Sequence, residues 1–145
     1  MNWIESLEKI IGKEIIFTDP EILSNYASDY TEDISCLPHV VIKPNTTSDI
    51  SKVLAFCNEH KIPVTPRGAG TGLSGGSIPV KGGVSLSMEK FDKILDIDEE
   101  NFQATVESGV INDHFQTVVK EKGLFYPPDP ASKGSCFLGG NIAHS

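Results

Sequence analysis

The sequence lacks any cluster of basic residues. Its 145 residues include 12 lysines and arginines against 20 aspartates and glutamates, a formal net charge of -8, and the cations are scattered singly. A protein that binds the phosphate backbone of nucleic acid normally concentrates lysine and arginine on one surface. We therefore expect no nucleic-acid partner.

Cysteine is scarce, and its spacing carries no motif. Cys36, Cys57 and Cys136 lie far apart, and no C-x-x-C pair is present. This pattern favours reduced, mostly buried thiols in a cytosolic protein, so we expect neither a metal site nor a redox pair.

Long apolar runs are missing as well. No segment approaches the ~20 apolar residues that a membrane-spanning helix needs. The residues from Met1 to Glu5 lack the basic and apolar regions of a secretory signal. We expect no transmembrane segment and a soluble, cytoplasmic protein with one domain, or part of one, around a single core.

The first half of the chain alternates helical and extended patterns. One helix is predicted between Asn2, which would cap it, and Gly12, which would end it. A second helix is predicted to begin at Asp19-Pro20. Val40 to Ile42 reads as a strand, a helix follows from Thr46 or Thr47 to about His60, and Ile62 to Thr65 reads as another strand. Strand, helix and strand in so short a stretch predict a βαβ unit with parallel strands.

The second half changes in character. After a further strand at Val84 to Ser87, two strands at Ile94 to Ile97 and Phe102 to Val106 are expected to flank an acidic turn. A helix is predicted from Asn112 to Lys122, and Leu124 to Ser145 is expected to be an ordered loop. The fold class is therefore α+β, with a small parallel βαβ subdomain and the start of a second, mainly antiparallel one.

The most informative segment runs from Pro66 to Ser77. Glycine occupies 68, 70, 72, 75 and 76, so the backbone can adopt positive φ and turn its N–H groups toward an anion. Residues 70–75 match the G-x-G-x-x-G dinucleotide fingerprint, but the Ile78-Pro79 stretch that follows predicts no helix, which that fingerprint requires. A Walker A ending of Gly-Lys-Ser/Thr is also absent.

This loop resembles the pyrophosphate-binding segment of the vanillyl-alcohol oxidase superfamily of FAD-binding domains. Thr46 to Ile50 is similar to the family's opening before a helix, and Pro127 to Pro130 and Leu138 to Ala143 look like its second and third cofactor segments. Within the superfamily, the sequence from Arg67 to Gly76 is most like that of the glycolate oxidase D-subunit and D-lactate dehydrogenase branch. The resemblance implies an N-terminal helical segment over 1–37 and an FAD-binding domain over 38–145 that is incomplete at its C-terminal end.

The resemblance also implies which residues bind FAD. A side chain at Gly70 would occupy the space of the diphosphate, so Gly70→Val is expected to abolish FAD binding without unfolding the chain. Arg67 would either face the cofactor or brace the loop, and Gly75 and Gly76 would either bind or only permit the turn. The implied cofactor-binding residues are Pro66, Arg67, Gly68, Ala69, Gly70, Thr71, Gly72, Leu73, Ser74, Pro128, Asp129, Gly139, Gly140, Asn141 and Ala143.

Thr71 stands where some superfamily members attach the flavin to histidine, so FAD is expected to be held non-covalently. His144 is the one histidine beside a cofactor-like segment. No catalytic residue is identifiable, because the family's later flavin segment and substrate-binding cap have no counterpart in the chain. We therefore expect this chain, on its own, to retain little FAD and to have no turnover.

The implied activity is oxidation of a 2-hydroxy acid such as glycolate or D-lactate by hydride transfer to FAD. Expected partners are this substrate and either a second copy or other oxidase subunits. Two alternatives stay open: the FAD domain of a sister flavoenzyme, such as an alditol oxidase or a cell-wall-precursor reductase, and a non-catalytic anion-binding or interaction module.

Overall fold

The computed structural model describes residues 3–144, and the chain groups into two compact units, Met1–Lys90 and Phe91–Ser145. The helix predicted to start at Asn2 is present as α1, although Asn2 itself lies outside the described residues. The division of the chain at residue 38 stays a prediction. Among residues 3–144, no helix is both long and apolar enough to cross a membrane.

The first unit consists of a four-stranded sheet and three α-helices. In chain order these are α1 (Trp3–Ile11), a 3-10 turn (Lys13–Ile15), β1 (Ile16–Phe17), α2 (Pro20–Asn25), β2 (Val40–Ile42), α3 (Thr47–Glu59), β3 (Val64–Arg67) and β4 (Val84–Ser87).

The sheet has the strand order β1-β2-β4-β3. Strands β2, β4 and β3 are parallel, and β1 pairs antiparallel with β2. The predicted βαβ unit is confirmed in the direction of its strands, but β4 inserts between β2 and β3, so the two are not neighbours. Strand β1 was not predicted, since two residues are too short to carry a periodic signal.

The core of the first unit lies between this sheet and helices α1 and α3. Val40, Ile42 and Val84 of the sheet pack with Leu7 of α1 and Val53 of α3, all with no exposed surface. Helix α3 begins with a capping box, in which Thr46 accepts from the main chain of Asp49 and Asp49 accepts from the main chain of Thr46. The sheet is therefore fixed on its helical side, and β3 delivers the chain to the glycine-rich segment.

The second unit contains β5 (Ile94–Asp98), β6 (Gln103–Val106), α4 (Asn112–Glu121) and α5 (Leu138–Ala143). Strands β5 and β6 form the expected antiparallel pair. Asp98 shapes the turn between them by accepting hydrogen bonds from the main-chain N–H groups of Glu100 and Asn101. The core contains Val110, Phe115, Val119 and Leu138.

The expectation of loop throughout the tail was wrong at α5. Glycines 139 and 140 argue against a helix because glycine has a low helix propensity. Tertiary hydrogen bonds override that preference: the N–H of Leu138 donates to the carbonyl of Val110 at 2.9 Å, and that of Gly139 donates to the carbonyl of Ser108 at 2.9 Å.

Candidate functional site

The glycine loop, residues 66–77, begins where β3 ends. Gly70 and Gly75 have φ angles of 73° and 72°, as the sequence predicted for a loop that turns its amides. No helix follows it within residues 76–83, which confirms that the G-x-G-x-x-G match at 70–75 is not a dinucleotide fingerprint.

Two carbonyl groups of the loop point into the protein. The carbonyl of Arg67 accepts from the N–H of Met88 at 2.9 Å, and that of Gly72 accepts from the N–H of Tyr30 at 3.1 Å. In a trans peptide the N–H points opposite to the carbonyl, so the N–H of Gly68 is directed away from β4 and that of Leu73 away from Tyr30.

The amides of the loop are left for a ligand. Within residues 3–144, no main-chain N–H from 68 to 74 donates to another protein group. These residues are partly or fully exposed, and those from 68 to 72 have no long side chain. Consecutive N–H donors without bulky neighbours form a nest for an anion, so the residues present fit a diphosphate.

Arg67 lies beneath this loop. Its side chain is 7% exposed, its Nη2 donates to the carbonyl of Asn25 at 3.2 Å, and its guanidinium carbon is 5.2 Å from the centre of the Tyr26 ring. Nη1 is buried without a partner among the described residues. Burial lowers the pKa of Arg67, against the opposing influence of Tyr26 and Asp29. A buried cation with a spare donor adds positive potential below the nest.

The guanidinium also explains the glycine at position 70. A Cβ there would collide with Nη2 of Arg67 and lie 2.8 Å from Cζ. The first atom of a side chain at position 70 would therefore meet Arg67, and the expectation that Gly70→Val abolishes FAD binding stays a prediction. Arg67 was expected either to face the cofactor or to brace the loop. Its position next to Gly70 agrees with bracing.

The 27–36 loop contacts the glycine loop on another side. The N–H of Gly75 donates to Oγ1 of Thr31 at 2.6 Å, and the hydroxyl of Ser77 donates to Asp29 at 3.1 Å. Because the amide of Gly75 is satisfied inside the protein, Gly75 serves the loop's own structure. The sequence contains one weak signal for this loop, an aspartate two residues before Thr31, which is the spacing of an Asx turn. In the structure Asp29 accepts from the N–H of Thr31 at 2.8 Å.

The second and third cofactor-like segments both lie in the second unit, where Asn112 joins them. Its Nδ2 donates to the carbonyl of Pro128 at 3.3 Å, and its Oδ1 accepts from Nδ2 of Asn141 at 3.3 Å. Asn112 has no exposed surface, and Gln116 also donates to the carbonyl of Pro128, at 2.8 Å. Sequence reasoning missed Asn112, since an asparagine at a helix start usually faces solvent.

The two glycines of α5 differ in their surroundings. A Cβ on Gly139 would be 2.6 Å from Cβ of Ser108, so this glycine is required by packing within the protein. A Cβ on Gly140 would meet nothing within 4 Å. Gly140 and Ala143 are exposed, and the carboxylate of Asp129 pairs with Nζ of Lys133 at 2.8 Å.

The remaining candidate groups bring no further chemistry together. His144 caps the C-terminal end of α5 and is exposed. Cys136 is buried, and its sulfur accepts from Nδ2 of Asn141 at 3.4 Å. In the described part of the chain, no group of three or more His, Cys, Asp or Glu residues could hold a metal ion.

A mainly parallel sheet that leads into a glycine-rich loop is typical of α/β proteins that bind phosphate groups. Comparison with known families makes the assignment: the chain belongs to the FAD binding domain family, whose profile matches residues 38–145. FAD is therefore the cofactor of the family to which the glycine loop belongs.

Curated relatives include the glycolate oxidase subunit GlcD of Bacillus subtilis, which is 47% identical over 81% of this chain and 25% of the relative. The D-lactate dehydrogenase of Anaerostipes hadrus is 38% identical over 97% of this chain and 29% of its own length. The D-2-hydroxyglutarate dehydrogenase of Stutzerimonas stutzeri is 31% identical over 96% and 30%. The chain thus spans between a quarter and about three-tenths of these relatives.

Solved structures agree on the fold. The 4-ethylphenol oxidase of Gulosibacter chungangensis has a TM-score of 0.74 at 28% identity, covering 84% of this chain and 24% of the oxidase. An alkyldihydroxyacetonephosphate synthase reaches 0.86 at 17% identity over 97% of this chain and 28% of the synthase, which supports the fold alone.

Proposed function

We propose that this chain is the FAD-binding part of a longer flavin-dependent oxidoreductase that oxidises a 2-hydroxy acid such as glycolate or D-lactate. The observation that carries the proposal is the row of main-chain N–H groups from 68 to 74, which have no partner within residues 3–144 and lie next to the buried cation of Arg67. The substrate class is supported by relatives whose names specify glycolate, D-lactate and D-2-hydroxyglutarate, all of them 2-hydroxy acids.

In this proposal the glycine loop binds the FAD diphosphate. The N–H groups of residues 68–74 donate to phosphate oxygens, and the hydroxyls of Thr71 and Ser74 are additional donors. Ala69 and Leu73 contribute through their main chain. Pro66 lies within strand β3 ahead of the loop, and Arg67, the last residue of that strand, supports the loop from below and adds positive potential.

We also propose cofactor contacts for residues of the second unit. Pro128, Asp129, Gly140, Asn141 and Ala143 are the proposed contact residues, and Gly139 allows α5 to approach Ser108. Asn112 would influence cofactor binding indirectly, because its side chain fixes the positions of the Pro128 carbonyl and the Asn141 side-chain amide.

When bound, FAD would accept the hydride that leaves the α-carbon of the 2-hydroxy acid. The residues of this chain would bind and orient the cofactor, and the catalytic residues of the reaction are not assigned to them. We propose that the cofactor is held non-covalently, because a threonine hydroxyl at position 71 is a far weaker nucleophile than the imidazole that bonded relatives place there.

A series of flavins tests the binding part of the proposal. We expect this chain, titrated while flavin fluorescence is recorded, to bind FAD more tightly than FMN and FMN more tightly than riboflavin, with ADP competing against FAD. Equal affinity for FAD and riboflavin would contradict a diphosphate site at the glycine loop.

A substrate assay tests the reaction. We expect the full-length oxidoreductase that carries this chain to reduce a redox dye with glycolate or D-lactate, and this chain alone to reduce none. Dye reduction with an alditol, and none with 2-hydroxy acids, would instead favour a sister flavoenzyme. The name "subunit" of the Bacillus subtilis relative supports further oxidase subunits as partners.

A further inference from the structure

A second loop, residues 27–36, contacts the glycine loop and supports it in addition to strand β3. Residues 27–36 form a closed loop, in which the N–H of Cys36 donates to the carbonyl of Ala27 at 2.8 Å. Its base is anchored, because Tyr26 and Ala27 are buried and the hydroxyl of Tyr26 donates to Glu89 at 2.8 Å. The 27–36 loop therefore offers a fixed surface to whatever packs on it.

Three hydrogen bonds cross from this surface to the glycine loop. The N–H of Tyr30 donates to the carbonyl of Gly72 at 3.1 Å. The N–H of Gly75 donates to Oγ1 of Thr31 at 2.6 Å, and the hydroxyl of Ser77 donates to Oδ2 of Asp29 at 3.1 Å.

These bonds act at the C-terminal end of the anion nest. The bond to the Gly72 carbonyl turns the N–H of Leu73 away from the 27–36 loop, as the trans peptide requires. The bond from Gly75 fixes the residue at which the nest ends, and no N–H between 68 and 74 is used by the protein within residues 3–144. The 27–36 loop thus binds the carbonyl of Gly72, the amide of Gly75 and the hydroxyl of Ser77, and it leaves the main-chain N–H groups of residues 68–74 to a ligand.

Thr31 and Asp29 form one unit. The main-chain N–H of Thr31 donates to Oδ1 of Asp29 at 2.8 Å, so the carboxylate fixes the backbone that carries the threonine hydroxyl. Oδ2 of the same carboxylate lies 3.7 Å from the point that a Cβ on Gly72 would occupy, so Asp29 is next to Gly72 as well as bonded to Ser77.

We infer that Asp29 and Thr31, which lie outside the segment matched by the FAD binding domain family, are positioning residues that preorganise the diphosphate-binding loop. The inference rests on the proposed binding of FAD at that loop. Thr31 acts through the main-chain amide of Gly75, and Asp29 acts through Ser77 and through the backbone of Thr31. Preorganisation raises affinity because the loop does not have to be ordered when the ligand binds.

The test compares two substitutions at one position in this chain. Thr31→Val keeps the shape of the side chain and removes the acceptor for the Gly75 amide, whereas Thr31→Ser keeps the hydroxyl. We expect Thr31→Val to raise the dissociation constant for FAD by about three- to tenfold, the equivalent of one lost hydrogen bond. Thr31→Ser should restore most of the wild-type affinity, and Thr105→Val, on exposed strand β6, should change nothing.

A second readout does not need FAD. In the ligand-free chain, hydrogen exchange of the Gly75 amide should be at least about tenfold faster in Thr31→Val than in the wild type, since the bond that protects it is gone. Exchange in the core strand β4 should be unchanged. Asp29→Asn, which keeps the side-chain shape, should accelerate Gly75 exchange in the same direction.

The outcomes separate the inference from the function. If the wild-type chain binds no FAD at millimolar concentration, the proposed function fails, and the exchange rates still decide whether the 27–36 loop orders the nest. Equal Gly75 exchange in wild type and Thr31→Val overturns the inference. So does an FAD dissociation constant that Thr31→Val leaves unchanged while the wild type binds. If Thr31→Val unfolds, Asp29→Asn supplies the same comparison.

Discussion

Replacing Gly70 with alanine separates the two requirements that the structure places on this position. One is the backbone: φ is 73°, and an L-residue in the left-handed region costs about 1 kcal/mol or slightly more. The other is the guanidinium of Arg67, which lies where the Cβ would be placed. Arg67 has to shift to make room, and we expect this shift to break the hydrogen bond from Nη2 to the carbonyl of Asn25, a charge-assisted bond worth about 1.5–3 kcal/mol.

The two contributions together predict a loss of roughly 3 kcal/mol in the free energy of unfolding for Gly70→Ala. Gly75→Ala is the matched control, because φ is 72° and the nearest atoms to its Cβ are 3.9 Å away. It should cost only the backbone part, about 1 kcal/mol. Trp3, the sole tryptophan, packs on the core of the first unit, so its fluorescence during urea unfolding measures both variants.

A double variant identifies the cause. In an Arg67→Ala background the collision is absent, so Gly70→Ala should cost no more than Gly75→Ala does. The reasoning is refuted if Gly70→Ala and Gly75→Ala are equally destabilising, or if the effect of Gly70→Ala is the same with and without Arg67. The larger Gly70→Val should abolish FAD binding, and on this account it does so by displacing Arg67 and the loop.

Three further predictions concern other parts of the molecule. Asn112→Ala should lower the unfolding free energy of the second unit by about 2 kcal/mol, because buried partners lose their hydrogen bonds, while Asn58→Ala on the exposed side of α3 should be close to neutral, both measured by circular dichroism during urea unfolding. Burial acts to raise the pKa of Asp29, but hydrogen bonds from Thr31 and Ser77 and the charge of Arg67 lower it overall from the usual 3.8. The ionised form then stabilises the fold above that value and is lost as pH falls through the lowered pKa, so the difference in melting temperature between wild type and Asp29→Asn should shrink below pH 3.8. Finally, acid precipitation should release all bound flavin into the supernatant, and yellow colour in the pellet would instead indicate attachment to a nucleophile such as Cys136.

The sequence was sufficient for the features that are local. Periodicity placed α3 and the β5–β6 pair, and the glycine spacing predicted the positive φ angles of Gly70 and Gly75. The Ile78-Pro79 stretch after the loop was enough to reject the dinucleotide fingerprint, because that fingerprint requires a helix and this stretch predicts none. These inferences depend on neighbours within a few positions, which a single sequence displays directly.

The features that escaped prediction depend on contacts between distant segments. Strand β4 enters the sheet between β2 and β3, and nothing in the β4 residues states which neighbours it will have. The burial of Asn112 follows from the carbonyl of Pro128 and the amide of Asn141 reaching it. The contact between Thr31 and Gly75 spans 44 positions, so neither residue alone predicts it.

The central claim is that the main-chain amides of the glycine loop bind the diphosphate of FAD. The most direct measurement is a titration of the ¹⁵N-labelled chain with FAD to millimolar concentration, followed through its amide NMR signals. The account predicts that the largest shifts occur at residues 68–74, that ADP reproduces them, and that Gly75, whose amide is bound to Thr31, shifts less. Shifts confined to other residues, or none at 68–74, would contradict it.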